Sequence, residues 1–332
     1  MKALQAFLDS EGKVNLGLKE LEIKELSQGN VVIKVHYSSV NYKDALAATN
    51  AKSGVIREYP IVLGIDLSGE VVESDDPKIK VGDFVIVTSY GLGVSHDGGY
   101  SEYARVPAEW VVPLPDGLTL KEAMILGTAG FTAGQSVDAL EQNGANPADL
   151  PVLVRGATGG LGSMAVKMLS QKGYTVIAES RKKETSSTFL HNLGASNIQT
   201  PEETQLEKAR PLSSQKWQAI IDPVGGDKLA DYLAQVKENG TIALSGNAGG
   251  IKFSATVLPF ILRGITLRGI NSVQVPQEER QKLWQRLATD LKPSDLTSFV
   301  DQELQLEELP AAFQKMIDGK MTGRFLVKVF GE

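Results

Sequence analysis

The stretch that most restricts how this chain folds is Pro151-Val152-Leu153-Val154-Arg155-Gly156-Ala157-Thr158-Gly159-Gly160-Leu161-Gly162. Val152 to Val154 is a short apolar run that fits a strand buried on both faces of a parallel sheet. A glycine-rich turn follows. Ser163 to Leu169 then reads as helix, with Ala165, Met168 and Leu169 on one side. Strand, glycine-rich turn, helix is the context that a dinucleotide fingerprint needs. Read as G-x-G-x-x-G, the three positions are Ala157, Gly159 and Gly162. Gly159 lets the backbone approach a pyrophosphate, and Gly162 lets the helix pack closely on the strand. Thr158, Gly159, Gly160 and Leu161 would then meet the phosphates at the positive end of the helix. Ala157 departs from the strict pattern, and an ordinary tight turn is the alternative.

The next strand weakens that alternative. Gly173 to Lys182 ends about 20 residues past the turn, where the ribose-reading residue belongs. An NAD site wants a carboxylate at that tip. Here the tip is Ser180, followed by Arg181, Lys182 and Lys183. A carboxylate repels a 2′-phosphate, whereas a hydroxyl and a guanidinium bind one. Glu179 stands one place early, so alternation turns it to the other face of the sheet. The pattern predicts NADPH, held by Ser180, Arg181 and Lys182; taken alone, the basic run also suits a solvated helix start.

The 332 residues suffice for two domains with their own cores. A net charge of −6 argues against a general binder of nucleic acid or anionic membrane. There is no cysteine, which removes disulfides, thiolate catalysis and Cys-ligated metals. No apolar run reaches membrane-spanning length, and the amino terminus lacks a basic-then-apolar signal. A cytoplasmic location is the expectation, with no nucleic-acid or membrane partner.

Residues 1 to about 119 read as many short strands separated by Gly, Pro and Asp turns, the pattern of a small barrel or sandwich. The strands expected here are 1–7, 31–37, 64–73, 81–87, 100–106 and 110–112. Pro113-Leu114-Pro115-Asp116-Gly117 is a punctuated joint. Thr119 then caps a helix, with Glu122 three residues on, and a second helix runs from about Gly127 to Asn143. From Val152 strands and helices alternate. Strands are expected at 152–156, 174–180, 197–200, 218–223, 240–245 and 265–270, the six of a doubly wound sheet. Gln277 to Leu291 is amphipathic, and the chain from Asp301 reads as helix plus terminal strand.

Several long motifs together carry a family resemblance. They include Gly98-Gly99-Tyr100-Ser101-Glu102-Tyr103, Gly127-Thr128-Ala129-Gly130-Phe131-Thr132-Ala133, Asn41-Tyr42-Lys43-Asp44-Ala45-Leu46-Ala47, Pro259-Phe260-Ile261-Leu262-Arg263 and Gly319-Lys320-Met321-Thr322-Gly323-Arg324. Over its whole length the chain resembles the medium-chain dehydrogenase/reductase superfamily, and within it the zinc-free, quinone-oxidoreductase-like YhdH/YhfP group of acrylyl-CoA reductase type. The resemblance implies an α/β fold: a GroES-like β-barrel domain from 1–122 and 274–332, and a Rossmann domain with a doubly wound parallel six-stranded sheet from 123–273. It also implies a homodimer, often through the last strand of that sheet, and a nicotinamide held between the domains. Zinc members carry Gly-His-Glu and cysteine ligands, where this chain has Gly64-Ile65-Asp66 and no cysteine. Without Zn²⁺ to polarise a carbonyl, an alkene activated by a neighbouring carbonyl is the favoured acceptor.

The implied activity is NADPH-dependent reduction of the C=C bond of a short α,β-unsaturated acyl-CoA. The alternatives are an NADPH:quinone oxidoreductase and a non-catalytic NADPH-binding sensor or structural protein. The partner is accordingly an enoyl thioester or a quinone. In related reductases the Asn41-Tyr42-Lys43-Asp44 segment meets nicotinamide and substrate, so Asn41 and Tyr42 are the catalytic candidates. Tyr42 would either shelve the nicotinamide or donate to the thioester oxygen, on which charge develops. Thr128, Asn247, Ile261 and Ser272 match positions near the nicotinamide half. Arg324 matches an arginine that reaches the cofactor, with a surface ion pair as its plainer reading. Of the three histidines, His36 reads as a satisfied strand residue, His96 as a residue that lines the cleft or merely its loop, and His191 as surface. With no metal expected, activity should survive prolonged treatment with a strong chelator; a zinc-to-subunit ratio near one, lost together with activity, would overturn this.

Overall fold

The computed structural model describes residues 1–330. They form two compact units. Met1–Thr128, Ser272–Asp290 and the chain from Ser294 onward make the first; Ala129–Asn271 with Leu291–Pro293 make the second. Residues 331 and 332, the end of the expected 274–332 segment, lie outside the described residues.

The first unit opens with β1 (Lys2–Leu8), β2 (Val14–Glu20), β3 (Val31–Ser39), α1 (Tyr42–Thr49), β4 (Ile61–Val62), β5 (Asp66–Ser74), β6 (Phe84–Thr88), β7 (Tyr103–Val106) and β8 (Val112–Pro113). α2 (Leu120–Gln142) then leads into the second unit. That unit holds β9 (Val152–Val154), α3 (Gly160–Gln171), β10 (Val176–Glu179), α4 (Lys183–Asn192), β11 (Asn197–Gln199), α5 (Pro201–Thr204), β12 (Trp217–Asp222), α6 (Leu229–Leu233), β13 (Val236–Leu244), α7 (Leu258–Arg263) and β14 (Thr266–Gly269). The chain closes in the first unit with α8 (Gln277–Ala288), β15 (Val300–Leu304), α9 (Leu309–Ile317) and β16 (Arg324–Lys328).

In the first unit β1 pairs antiparallel with β2 and β4, and a larger sheet runs β15-β16-β3-β5-β6-β8. β3 organises the larger sheet: it pairs with β5, with β7 over Val31–Lys34 and with β16 over Tyr37–Ser39. Alternating residues of β3 and its neighbours, including Ile33, Val35, Leu67, Val71, Val85 and Val87, form one core cluster. A second cluster joins Leu4 and Ala6 of β1 to Ala45 of α1 and Leu309 and Phe313 of α9.

In the second unit six strands pair in the order β11-β10-β9-β12-β13-β14, all parallel. This is the strand order of a dinucleotide-binding sheet, with its reversal between β9 and β12. All six strands fall within or beside the ranges expected from sequence, and Leu153, Ile220 and Ile242 from three of them meet in one core cluster.

Three strands escape the sequence reading. β2 and β4 fall outside the expected list, and β15 runs parallel to β16 where helix was expected. Val81 to Asp83 is a turn rather than strand, because Gly82 takes a left-handed φ of 92°. The capping box at Thr119 is present: its N–H donates to Glu122 Oε2 at 3.0 Å, and its Oγ1 accepts from the Glu122 N–H at 3.1 Å. The two helices expected on either side of Gly127 are present: α2 is two helices that meet at Gly127, whose backbone (φ 51°, ψ −157°) is not helical.

Gly162 tests the fingerprint directly. A Cβ there would lie 2.4 Å from the Gly156 carbonyl oxygen, whereas one at Gly159 meets nothing closer than 3.4 Å. Gly162→Ala should therefore destabilise the protein by about 1–3 kcal/mol through overpacking. Gly159→Ala should fold normally, and equal thermal unfolding of the two variants would show that the close approach carries no energy.

Candidate active site

The first unit builds a polar centre around Asp66, the first residue of β5 and fully buried. A buried carboxylate needs donors on its oxygens, and four converge. Thr128 gives its N–H to Oδ2 at 2.8 Å and its hydroxyl to Oδ1 at 2.5 Å. Asn41 Nδ2 and Ser39 Oγ each donate to Oδ2 at 2.7 Å. Gly127 makes room for this. A Cβ there would sit 2.6 Å from both Asp66 Oδ2 and Ser39 Oγ, and its left-handed φ excludes most residues in any case.

Asn41 is fixed from both ends of its amide. While Nδ2 faces Asp66, Oδ1 accepts from Arg324 Nη1 at 3.3 Å. Asn41 also caps α1: its N–H donates to Asp44 Oδ2 at 2.9 Å, closing a capping box. Asp44 Oδ1 accepts from the Ile65 N–H at 3.0 Å, which ties the helix start to the strand carrying Asp66. Burial, with the nearby Asp66 carboxylate, pushes Asp44 up to about 7. Tyr42 is the first residue of α1 and its side chain is 44% exposed, so it is available to a ligand.

Arg324 is not a surface ion pair. It is buried, and it donates from Nε to the Ile125 carbonyl at 3.0 Å and from Nη1 to the Val40 carbonyl at 3.2 Å; its Nη2 is buried without a hydrogen-bond partner. Burial lowers its pKa against the opposing pull of Asp66. Ser272 is not drawn into this centre; its carbonyl accepts from Arg280 Nη2 at 3.1 Å. His96 is held by contacts to the Asp97 and Gln28 carbonyls at 3.0 and 2.9 Å and lies edge-on to Trp110. His36 is not a satisfied histidine, since both ring nitrogens are buried without partners. His191 is exposed, in the last turn of α4.

In the second unit the glycine-rich turn joins β9 to α3. Gly156 is left-handed (φ 56°), and Gly159 caps α3 with extended backbone. The first-turn N–H groups at Gly160, Leu161 and Gly162 have no intrahelical acceptor, as an anion site requires. Thr158 Oγ1 lies 3.4 Å from Ser180 Oγ, which accepts from the Lys182 N–H at 3.0 Å. Arg181, Lys182 and Lys183 border a basin of about 660 Å³. Lys183 is occupied by Glu203 at 2.8 Å, whereas Arg181 is exposed and has no carboxylate partner among the described residues. Asn247 lies exposed in the loop after β13, and Ile261 is exposed on α7.

Glu179 is turned inward, as alternation predicts. Arg155 Nε donates to its Oε1 at 3.3 Å, and Thr204 Oγ1 and Tyr232 OH each donate to its Oε2 at 2.5 Å. Arg155 Nη1 also meets Asp222 Oδ2 at 2.6 Å. This network joins the ends of β9, β10 and β12 and leaves no free carboxylate at the Ser180 tip. Sequence reasoning missed both buried centres. The one available signal for the first was Asp66 itself, in the Gly64-Ile65-Asp66 segment.

A zinc ion does not fit the Asp66 centre. Its carboxylate oxygens are taken by four donors, a guanidinium approaches its ligand Asn41, and no thiolate or imidazole lies among these groups.

Comparison with known proteins places this architecture. The Alcohol dehydrogenase GroES-like domain family matches residues 27–116, and the Zinc-binding dehydrogenase family matches residues 160–289. YhfP of Bacillus subtilis is 48% identical over 99% of this chain and 98% of its own; its crystal structure, solved with NAD bound, superposes with a TM-score of 0.94. The acrylyl-CoA reductase AcuI of Ruegeria pomeroyi is 43% identical over 97% of this chain and 96% of its own. The YhdH oxidoreductase of Salmonella enterica, solved in complex with NADP, is 43% identical, covers 99% of both chains and has a TM-score of 0.94. With identity this high over nearly the full length, the chain belongs to the medium-chain dehydrogenase/reductase superfamily, in the quinone-oxidoreductase-like group of YhfP, YhdH and AcuI.

Proposed function

We propose that this protein is an NADPH-dependent oxidoreductase that reduces the C=C bond of a short α,β-unsaturated acyl-CoA. The observation that carries the reading is the Asp66 centre, a cluster without thiolate or imidazole that holds the Asn41 amide and the start of α1 in one orientation. Its placement within a chain 43% identical to an acrylyl-CoA reductase selects the substrate class.

The cofactor role falls to residues 123–273 and the substrate role to 1–122 and 274–332. Thr158, Gly159, Gly160 and Leu161 take the pyrophosphate on the N-terminus of α3. Ser180, Arg181 and Lys182 take the 2′-phosphate, with Arg181 supplying the unneutralised charge. Thr128, Asn247, Ile261 and Ser272 attend the nicotinamide half. Arg324 acts through Asn41. When bound, the reduced nicotinamide supplies a hydride to the β-carbon of the thioester. Tyr42 shelves the nicotinamide or, in the alternative tested below, gives its hydroxyl to the thioester oxygen as charge develops there; Asn41 stands beside it, and the α-carbon takes its proton from Tyr42 or water. β14 is an edge strand, paired only with β13 among the described residues; a homodimer through that edge and a cytoplasmic location complete the reading.

NADPH oxidation should be rapid with acryloyl-CoA and slow with a quinone or with no acceptor. Rapid turnover of quinone alone would reassign the enzyme as a quinone reductase, and no turnover with either would leave a binding protein. In the same assay Arg181→Ala should weaken NADPH by roughly 1.5–3 kcal/mol, the worth of a charge-assisted contact, and leave NADH little changed. Equal weakening of both cofactors would refute the 2′-phosphate assignment.

Tyr42→Phe keeps the ring and removes the hydroxyl. If the hydroxyl donates to the enolate oxygen, single-turnover hydride transfer should fall on the order of 10²-fold with NADPH affinity unchanged. If the ring shelves the nicotinamide, which is the favoured role, Tyr42→Phe should be nearly silent and Tyr42→Ala should lose both affinity and rate. Normal behaviour of both variants would remove Tyr42 from the site.

A further inference from the structure

We propose that a basin on the first unit, bordered by β1, β2 and the segment joining α1 to β4, binds the adenine 3′-phosphate end of the acyl-CoA; this rests on the acyl-CoA reading above. The basin measures about 400 Å³, and its chemistry is carried by Phe7, Lys19, Arg57 and Tyr59. Along β1, Leu4 and Ala6 enter the core cluster, so alternation turns Phe7 to the opposite face. On β2 the residue beneath the ring is Gly17. A Cβ there would lie 3.3 Å from Phe7 Cε1, so the ring rests across backbone that carries no side chain. Lys19 Nζ stands 5.3 Å from the centroid of that ring. Tyr59 is half-buried and packs against the core cluster, which fixes the opposite wall.

Two aromatic side chains are thus set beside two cations. Arg57 and Lys19 are both exposed, and neither has a carboxylate partner among the described residues. Elsewhere on this unit Lys121 is paired with Glu303 and Lys315 with Asp301. An aromatic surface accepts a purine by stacking, and a free guanidinium reads a phosphate by a bidentate contact. A purine with a phosphate on its ribose satisfies both, and coenzyme A carries that group at the end remote from the thioester. Arg57 and Tyr59 follow α1 in the chain, and α1, at whose first residue Tyr42 lies, is about 12 Å long.

The test compares acryloyl-CoA, acryloyl-dephospho-CoA and acryloyl-pantetheine as substrates for the native protein, Arg57→Gln and Lys19→Gln. Both side chains are exposed, so both variants should fold. The native protein should show a KM for acryloyl-CoA about tenfold below that for the dephospho form. Arg57→Gln should raise the KM for acryloyl-CoA to the dephospho value, leave kcat unchanged, and leave acryloyl-pantetheine unaffected. Lys19→Gln should act in the same direction and more weakly. A KM for acryloyl-CoA unchanged in Arg57→Gln, or the same loss on all three substrates, would overturn the assignment. Binding of 3′,5′-ADP in the presence of saturating NADP⁺ tests the basin without turnover. It should weaken about tenfold in Arg57→Gln, and no difference would overturn the proposal. Failure of all three thioesters to react would instead refute the acyl-CoA reading, and the 3′,5′-ADP titration would still decide the basin.

Discussion

A carboxylate buried at the head of β5 sets the terms for the first unit. A carboxyl group held away from water is tolerated only with its oxygens saturated. Saturating them fixes Ser39 at the end of β3, Asn41 at the start of α1 and Thr128 beyond the break in α2. Three separate stretches of chain are thus held by one side chain. The break at Gly127 is part of the same constraint, because no side chain fits between Asp66 and Ser39 at that point. Asp44 and Arg324 then secure Asn41 from the backbone side and the amide-oxygen side. Rigidity of this kind serves a reaction in which the barrier depends on alignment more than on a strong acid or base.

The second unit handles buried charge in the same way at a different place. Arg155 at the end of β9 faces Glu179 at the end of β10 and Asp222 at the end of β12. Asp222 Oδ1 further accepts the N–H groups of Val224 and Gly225 at 2.7 and 2.9 Å. The network pins the strand ends beside the glycine-rich turn, and it engages Glu179, the acid next to Ser180. Removing one member would strand a buried charge, so Arg155, Glu179 and Asp222 are coupled in stability as well as in position. Arg181, next along the chain, stays outside that network and in solvent.

The chemistry follows from what each centre lacks. Around Asp66 there are amide, hydroxyl and guanidinium donors and no soft ligand, so this centre works by hydrogen bonding. Such donors polarise less than a metal ion does, and they suit an acceptor already activated by conjugation. The hard step belongs to the cofactor, and the chain's contribution is to hold, align and stabilise charge.

Much of this protein was legible in its sequence, because much of it is local. The run from Val152 to Gly162 fixed a strand, a turn and a helix through apolar spacing and glycine placement, and the six parallel strands followed from alternation with helices. Ser180 and Arg181, from their distance past the turn, pointed to a 2′-phosphate. The long motifs identified the family, and Thr119 with Glu122 foretold its capping box. What tertiary structure alone decided is non-local. Asp66 meets Asn41 from 25 residues away and Thr128 from 62, and Arg324 reaches Asn41 across 283. No periodicity links such positions, since each is polar in a segment that otherwise reads as strand, loop or helix start. The parallel pairing of β15 with β16 was hidden for the same reason: Val300 to Leu304 carries Asp, Gln and Glu, and only a partner strand makes it β. Local sequence determined which elements form; desolvation of the charges they bring together determined where the buried polar centres lie.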